Sequence, residues 1–140
     1  MIERVVVASD RSETASHAVS WAAELARRFE ATLTVVQAFV PGPPPAGAET
    51  ELALYAEQVA GRGTRARVTA GEDPAALIVA AAEAEKADVL VVGNMGMSGR
   101  KEFLLGNVPN RVSHSARCTV VIVNTSDGPQ RRRLWSRSRS

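Results

Sequence analysis

Residues 93–107 read Gly-Asn-Met-Gly-Met-Ser-Gly-Arg-Lys-Glu-Phe-Leu-Leu-Gly-Asn, with Arg100 and Lys101 inside a glycine-rich stretch directly behind the apolar run 89–92. Glycines at 93, 96 and 99 permit positive φ and close backbone approach, so successive amides can point into one concavity. Gly106-Asn107 opens a further helical segment, whose first amides are unpaired and whose dipole favours an anion by about 0.3–1 kcal/mol. Arg100 and Lys101 would add charge-assisted contacts. The chemistry these residue types offer is phosphate binding. A plainer reading stays open, in which the glycines end a strand and the stretch up to Gly106 is a surface loop. Loops of that length without structure of their own are uncommon and tend to be functional.

Competing motifs are absent. No Gly-Lys followed by Ser or Thr occurs, so there is no Walker loop, and Ser9-Asp10-Arg11-Ser12 after the first strand lacks the dinucleotide fingerprint. Ser98 is followed by Gly99 and Arg100, which places the glycine one position early for a hydrolase elbow. No pair of carboxylates or His-acid arrangement is legible as hydrolytic machinery. His17, on a helix flank, and His114, near a helix end, read as solvated or capping residues. Cys118 is the single cysteine, which excludes an internal disulfide and suits a reducing compartment.

The elements that must carry the loop follow from periodicity. Val5–Ala8 is a β-branched strand that stops at Ser9–Ser12, where small polar residues suit a turn and a helix N-cap. Ala15, Ala18, Val19, Ala22, Leu25, Ala26 and Phe29 recur at helical spacing and give the next helix a sheet-facing side, ending near Glu30. Thr32–Val40 is a second strand, closed by the proline-rich run 41–45. Glu49–Ala60 reads as a helix with Leu52, Tyr55, Ala56 and Val59 along one side, and Arg65–Ala70 as an edge strand with one wet face. Asp73-Pro74 starts a third helix running to about Glu85. Val89–Val92 and Thr119–Val123 are the last strands, with a helix from about Val108 to Ser115 between them. Such alternation predicts an α/β fold: a doubly wound, open parallel sheet with helices on both faces. Ligands of these sheets bind beyond the carboxyl ends of the strands, where the strand order reverses.

Gly93-x2-Gly96-x9-Gly106-Asn107 resembles the G-x2-G-x9-G-(S/T) signature of nucleotide-binding universal stress proteins. The similarity extends to Lys86–Gly93, to Leu104–Ser113, to Cys118–Val123, to Val5–Asp10 and to Gly71–Ala75, so that it spans residues 1 to about 124. It implies five strands in the order 3-2-1-4-5, with Ala8 and Asp10 facing the Gly93 loop across the switch point. It implies ATP as ligand, with or without Mg2+: Asp10 near ribose or a phosphate-bound ion, Ala38, Phe39 and Gly71 along the adenine, and Gly93, Met95, Gly96, Arg100, Gly106, Asn107 and Val108 around the phosphates. Asn107 departs from the signature's Ser or Thr, though its amide still donates. Asp10 has an alternative role as cap of the first helix, and Met95 one as a gap-filling hydrophobe. The family also implies a homodimer paired through the fifth strand, Thr119 to Val123.

At 140 residues with 45% hydrophobic and 23% charged residues, the chain suits one domain. The formal charge of +2 is uneven: five arginines lie after residue 130, leaving residues 1–125 at about −2. The expected division is a nucleotide-binding domain over 1–124 and a basic Arg/Ser tail or linker over 125–140, leading to a further domain or partner, with no specific nucleic-acid function. The N-terminus lacks the pattern of a signal peptide, and the longest apolar run, Ala75–Ala82, falls well short of the roughly 18 residues of a span. A cytoplasmic location and no membrane partner are expected. The function read from these features is a regulatory protein that binds an adenine nucleotide and signals through binding and dimerisation, not an enzyme. The alternatives are a scaffold module without nucleotide and, third, a slow ATPase or adenylating enzyme.

Overall fold

In the computed structural model, residues 1–94 and 108–125 are described, and strands and helices alternate along them. The order is β1 (Arg4–Ala8), α1 (Glu13–Phe29), β2 (Thr32–Phe39), α2 (Ala48–Ala60), β3 (Arg65–Ala70), α3 (Pro74–Ala84), β4 (Val89–Gly93), α4 (Val108–Ser115) and β5 (Thr119–Val123). All pairings are parallel and the sheet order is β3-β2-β1-β4-β5, as the sequence led us to expect. The register Val7↔Val35 and Val7↔Val91 makes β1 the central strand, flanked by β2 and β4.

Strand alternation sends β1 side chains to two separate cores. Val5 and Val7 join Val35, Val91 and the α1/α2 residues Val19 and Leu52 on one face. Val6 and Ala8 join Val36, Leu90, Val92 and the α3/α4 residues Ile78 and Val112 on the other. Leu52 and Ile78 are fully buried, and truncating either to alanine removes packing worth about 2–5 kcal/mol.

The helix ends follow local chemistry. Ser12 caps α1, its Oγ accepting from the Ala15 amide at 3.2 Å, so the capping role open to Asp10 falls to Ser12 instead. Asp73 caps α3, with Pro74 in its first turn. Two sequence expectations are corrected. Phe29 lies at the end of α1 and is 44% exposed, while Ala23 takes a buried place in the α1 stripe. Gly93 does not adopt positive φ: it is the last residue of β4, paired with Val123, and an added Cβ would make ordinary contacts, with Thr125 Cγ2 at 3.4 Å and Ala18 Cβ at 3.8 Å.

Candidate functional site

The carboxyl ends of β1 and β4 lie side by side, because β1 pairs with β4 on one side and β2 on the other. Extending the pairing Val7↔Val91 carries Ser9 and Asp10 after β1, and Gly93 and Asn94 at the end of β4, to the same rim. This is the crevice where the strand order reverses. The chain leaves β1 through Ser9, whose amide donates to Val36 O at 2.9 Å and continues the ladder one residue past the strand. Asp10 follows, and its Oδ1 accepts from the Ser12 amide at 2.9 Å. Its other oxygen has no partner among the described residues. Arg11 adopts φ 69°, a left-handed conformation that costs a non-glycine residue about 1–2 kcal/mol.

Two sets of side chains hold this loop. Ser9 is wholly buried, and its Oγ lies 2.9 Å from the Tyr55 hydroxyl of α2, while Arg11 is paired with Glu51 of α2 at 3.3 Å. On the other side of the rim, the ends of β2 and β3 are drawn together: the Gly71 amide donates to Phe39 O at 3.2 Å and the Gly42 amide to Gly71 O at 3.1 Å. A Cβ on Gly42 would sit 2.9 Å from Ala70 Cβ, so the connection after β2 requires glycine there for close approach.

The residues singled out from the sequence divide into three groups. Ala8, Ala38 and Val108 share the α3/α4 face, Ala8 and Val108 both buried. Alternation turns Phe39, half-buried, toward the opposite face, so the side chains of Ala38 and Phe39 flank the end of β2 from different faces. Asp10, Gly71 and Gly93 all lie at the rim. The Val108 side chain belongs to the core, which leaves its main-chain amide, at the start of α4, as the group able to meet an anion. Met95, Gly96, Arg100, Gly106 and Asn107 lie outside the described residues, and so do Ser98, Gly99 and Lys101.

Several residues at the rim escaped the sequence reading. Asn94 donates its amide to Val123 O at 2.9 Å, and its Oδ1 accepts from the Thr125 amide at 2.9 Å. Thr125 is 2% exposed and packs against Gly93. Arg111 of α4 donates to Asp73 Oδ2 at 2.6 Å, joining the N-terminal turns of α3 and α4. That bond, helped by the amides of Ala76 and Ala75, holds the Asp73 carboxyl below the usual carboxylate range and raises Arg111 in turn. No pattern in the sequence pairs 73 with 111.

No cluster of three or more His, Cys, Asp or Glu side chains suited to a metal exists among the described residues. A lone Asp10 carboxylate with one unengaged oxygen does suit Mg2+ brought in on a polyphosphate, because that ion keeps waters and takes one or two carboxylates besides the phosphates. His17 is partly exposed on α1, as a flank residue would be, but its Nδ1 is buried and has no hydrogen-bond partner among the described residues. Cys118 is half-buried, and burial pushes its thiol pKa up, against a role as nucleophile. No described helix is long and apolar enough to cross a membrane.

A five-stranded parallel sheet whose order reverses between β1 and β4, with helices joining its strands, defines a doubly wound α/β domain in architecture. Residues 1–124 match the model of the universal stress protein family, and the chain belongs to that family. Universal stress protein Rv1636 of Mycobacterium tuberculosis is 33% identical over 142 residues, covering 87% of this chain and 96% of its own length. A solved universal stress protein in complex with cAMP is 33% identical and superposes with a TM-score of 0.71 over 89% of this chain and 98% of its own. A universal stress protein from Archaeoglobus fulgidus in complex with dAMP shares the fold at 21% identity, with a TM-score of 0.64 over 89% of this chain and 98% of its own.

Proposed function

We propose that this protein binds an adenine nucleotide at the rim between β1 and β4 and acts by that binding, with ATP and its Mg2+ ion as the first candidate ligand. The observation that carries the reading is the juxtaposition of the Asp10 loop with the end of β4 at adjacent parallel strands, the place where open α/β sheets take ligands. The cAMP complex of a relative one-third identical supports an adenine ligand and brings cyclic AMP in beside ATP. Asp10 would act on ribose or on the phosphate-bound ion, Ala38 and Gly71 on the adenine side, and the α4 amides from Val108 on phosphate. Met95, Gly96, Arg100, Gly106 and Asn107 remain part of the proposed cradle on the strength of their spacing in the sequence.

Titration calorimetry with ATP, ADP and cyclic AMP, with and without Mg2+, tests this reading. Asp10→Asn keeps an Oδ1 acceptor for the Ser12 amide and removes the charge. A loss of tenfold or more in MgATP affinity at an unchanged unfolding midpoint is expected. Absence of heat for every nucleotide would leave the scaffold reading in its place.

The same proposal includes dimerisation through β5. This strand lies at the sheet edge, and Ile122 is 45% exposed on it. Apolar edges of this kind are normally paired or covered. Light scattering should give twice the chain mass; a monomer at all concentrations would remove the dimer from the account. A body spanning 1–124 with a basic segment after it, and a cytoplasmic setting, complete the proposal.

A further inference from the structure

Three hydroxyl groups beneath α2 form a hydrogen-bond chain whose direction is fixed by its end. Ser16 Oγ–H donates to Ser12 O at 2.9 Å, which uses the only proton that hydroxyl carries. Its contact with the Tyr55 hydroxyl, also 2.9 Å, must therefore be donated by tyrosine. With the phenol proton committed, the 2.9 Å contact between Tyr55 and Ser9 must be donated by Ser9. Ser9 Oγ in turn accepts from the Arg11 amide at 2.9 Å. The chain thus leaves the β1–α1 loop at Arg11, passes through Tyr55 of α2, and re-enters the loop at Ser12.

We infer that Tyr55 is a positioning residue for nucleotide binding, which fixes the left-handed turn at Arg11 and thereby the place of Asp10 at the rim. This rests on the reading given under Proposed function. The turn needs outside support because Arg11 holds an unfavourable φ of 69°, and such conformations persist only where surrounding contacts over-determine them. Here those contacts come from one helix: Tyr55 acts on Ser9 and Ser16, and Glu51, one turn earlier on α2, reaches Arg11. Asp10 lies between the two tethered residues and is itself bonded to Ser12. Removing the phenol hydroxyl leaves the buried Ser9 donor without its acceptor and frees the turn, with little change in the shape of the α2 face.

Tyr55 is the only tyrosine in the chain, so a ring-labelled sample gives one phenol carbon signal. The test uses the whole protein and its Tyr55→Phe variant, well below their unfolding temperatures. In the absence of nucleotide, amide exchange at Arg11 and Ser12 should rise at least tenfold in the variant, while the interior of α1 keeps its protection. MgATP affinity, measured by calorimetry at the same temperature, should fall threefold to tenfold, a change that a purely structural role in a fully folded sample would not produce. The Tyr55 signal of the parent should move on addition of MgATP. Unchanged exchange at Arg11 and Ser12 would overturn the clamp itself. Changed exchange with unchanged affinity and a stationary Tyr55 signal would overturn its part in binding. A parent with no nucleotide affinity would overturn the reading beneath both.

Discussion

At the β1–α1 loop, buried and half-buried hydroxyls of Ser9, Tyr55 and Ser16 hold the backbone, whereas at the facing corner α3 and α4 are joined by the exposed pair Asp73–Arg111. Both fasten the same rim, but water treats them differently. Hydrogen bonds out of water are insensitive to salt, and leaving one partner unmade exposes the other to its full desolvation penalty. An ion pair open to solvent is screened and depends on the charge state of its acid. The α2 side is therefore built as a permanent fixture, and the α3/α4 side as a fastening that pH and ionic strength can loosen.

The comparison breaks most sharply at Tyr55. Tyr55→Phe should cost about 1–3 kcal/mol in chemical denaturation, because the Ser9 hydroxyl, wholly buried, loses its acceptor. A loss that reappears unchanged in a Ser9→Ala background would show that the two groups do not act together. Asp73→Ala should come next, since it removes both the α3 cap and the partner of Arg111; thermal unfolding should fall by less than in Tyr55→Phe.

Acid should act on the same corner and on Asp88 at the amino-terminal end of the sheet. Hydrogen bonds from Arg111 depress the Asp73 pKa, and the amides of Glu3 and Arg4 depress that of Asp88. A depressed folded pKa gives stability that is fully present above the unfolded value of about 3.9 and is lost as pH falls through the folded value. Unfolding midpoints should thus be flat near neutrality and fall below about pH 4. Asp73→Asn should flatten part of that fall.

Arg111→Gln should have a smaller effect still, and the difference from the parent should vanish in about 1 M salt, where the Debye length is about 3 Å. Glu51→Gln should be the smallest, because its pair with Arg11 is half open to water. Equal salt sensitivity of Tyr55→Phe and Arg111→Gln would erase the distinction between the two sides.

The fold was legible because each element carries a local signal: β-branched runs for β1 and β4, Asp73-Pro74 for α3, proline after β2. Tyr55 was placed on the correct side of its helix, yet its purpose was hidden, since its partners Ser9 and Ser16 lie 46 and 39 residues away in the chain. The pair Asp73–Arg111, 38 residues apart, was hidden for the same reason. Phe29 misled because periodicity assigns a face without saying where the sheet beneath it ends; at the last turn of α1 there is little left to cover it. Gly93 misled because glycine suggests a turn, whereas here it completes β4 beside Thr125. At the candidate site, the stretch from Gly93 to Val108 suggested phosphate chemistry by its contiguous spacing alone, most of it lying outside the described residues, whereas the contacts made there by side chains of α2 and α4 left no contiguous pattern to read.

The most direct test of nucleotide binding at the β1/β4 rim is a backbone amide NMR titration of the full chain with MgATP. Shifts confined to Asp10, Ala38, Gly71, Gly93 and Val108, with their neighbours, are the expected result. A pattern centred instead on the cleft of about 280 Å³ at the opposite, amino-terminal end of the strands, lined by Arg27, Glu30 and Arg62, or no shift at millimolar nucleotide, would contradict it.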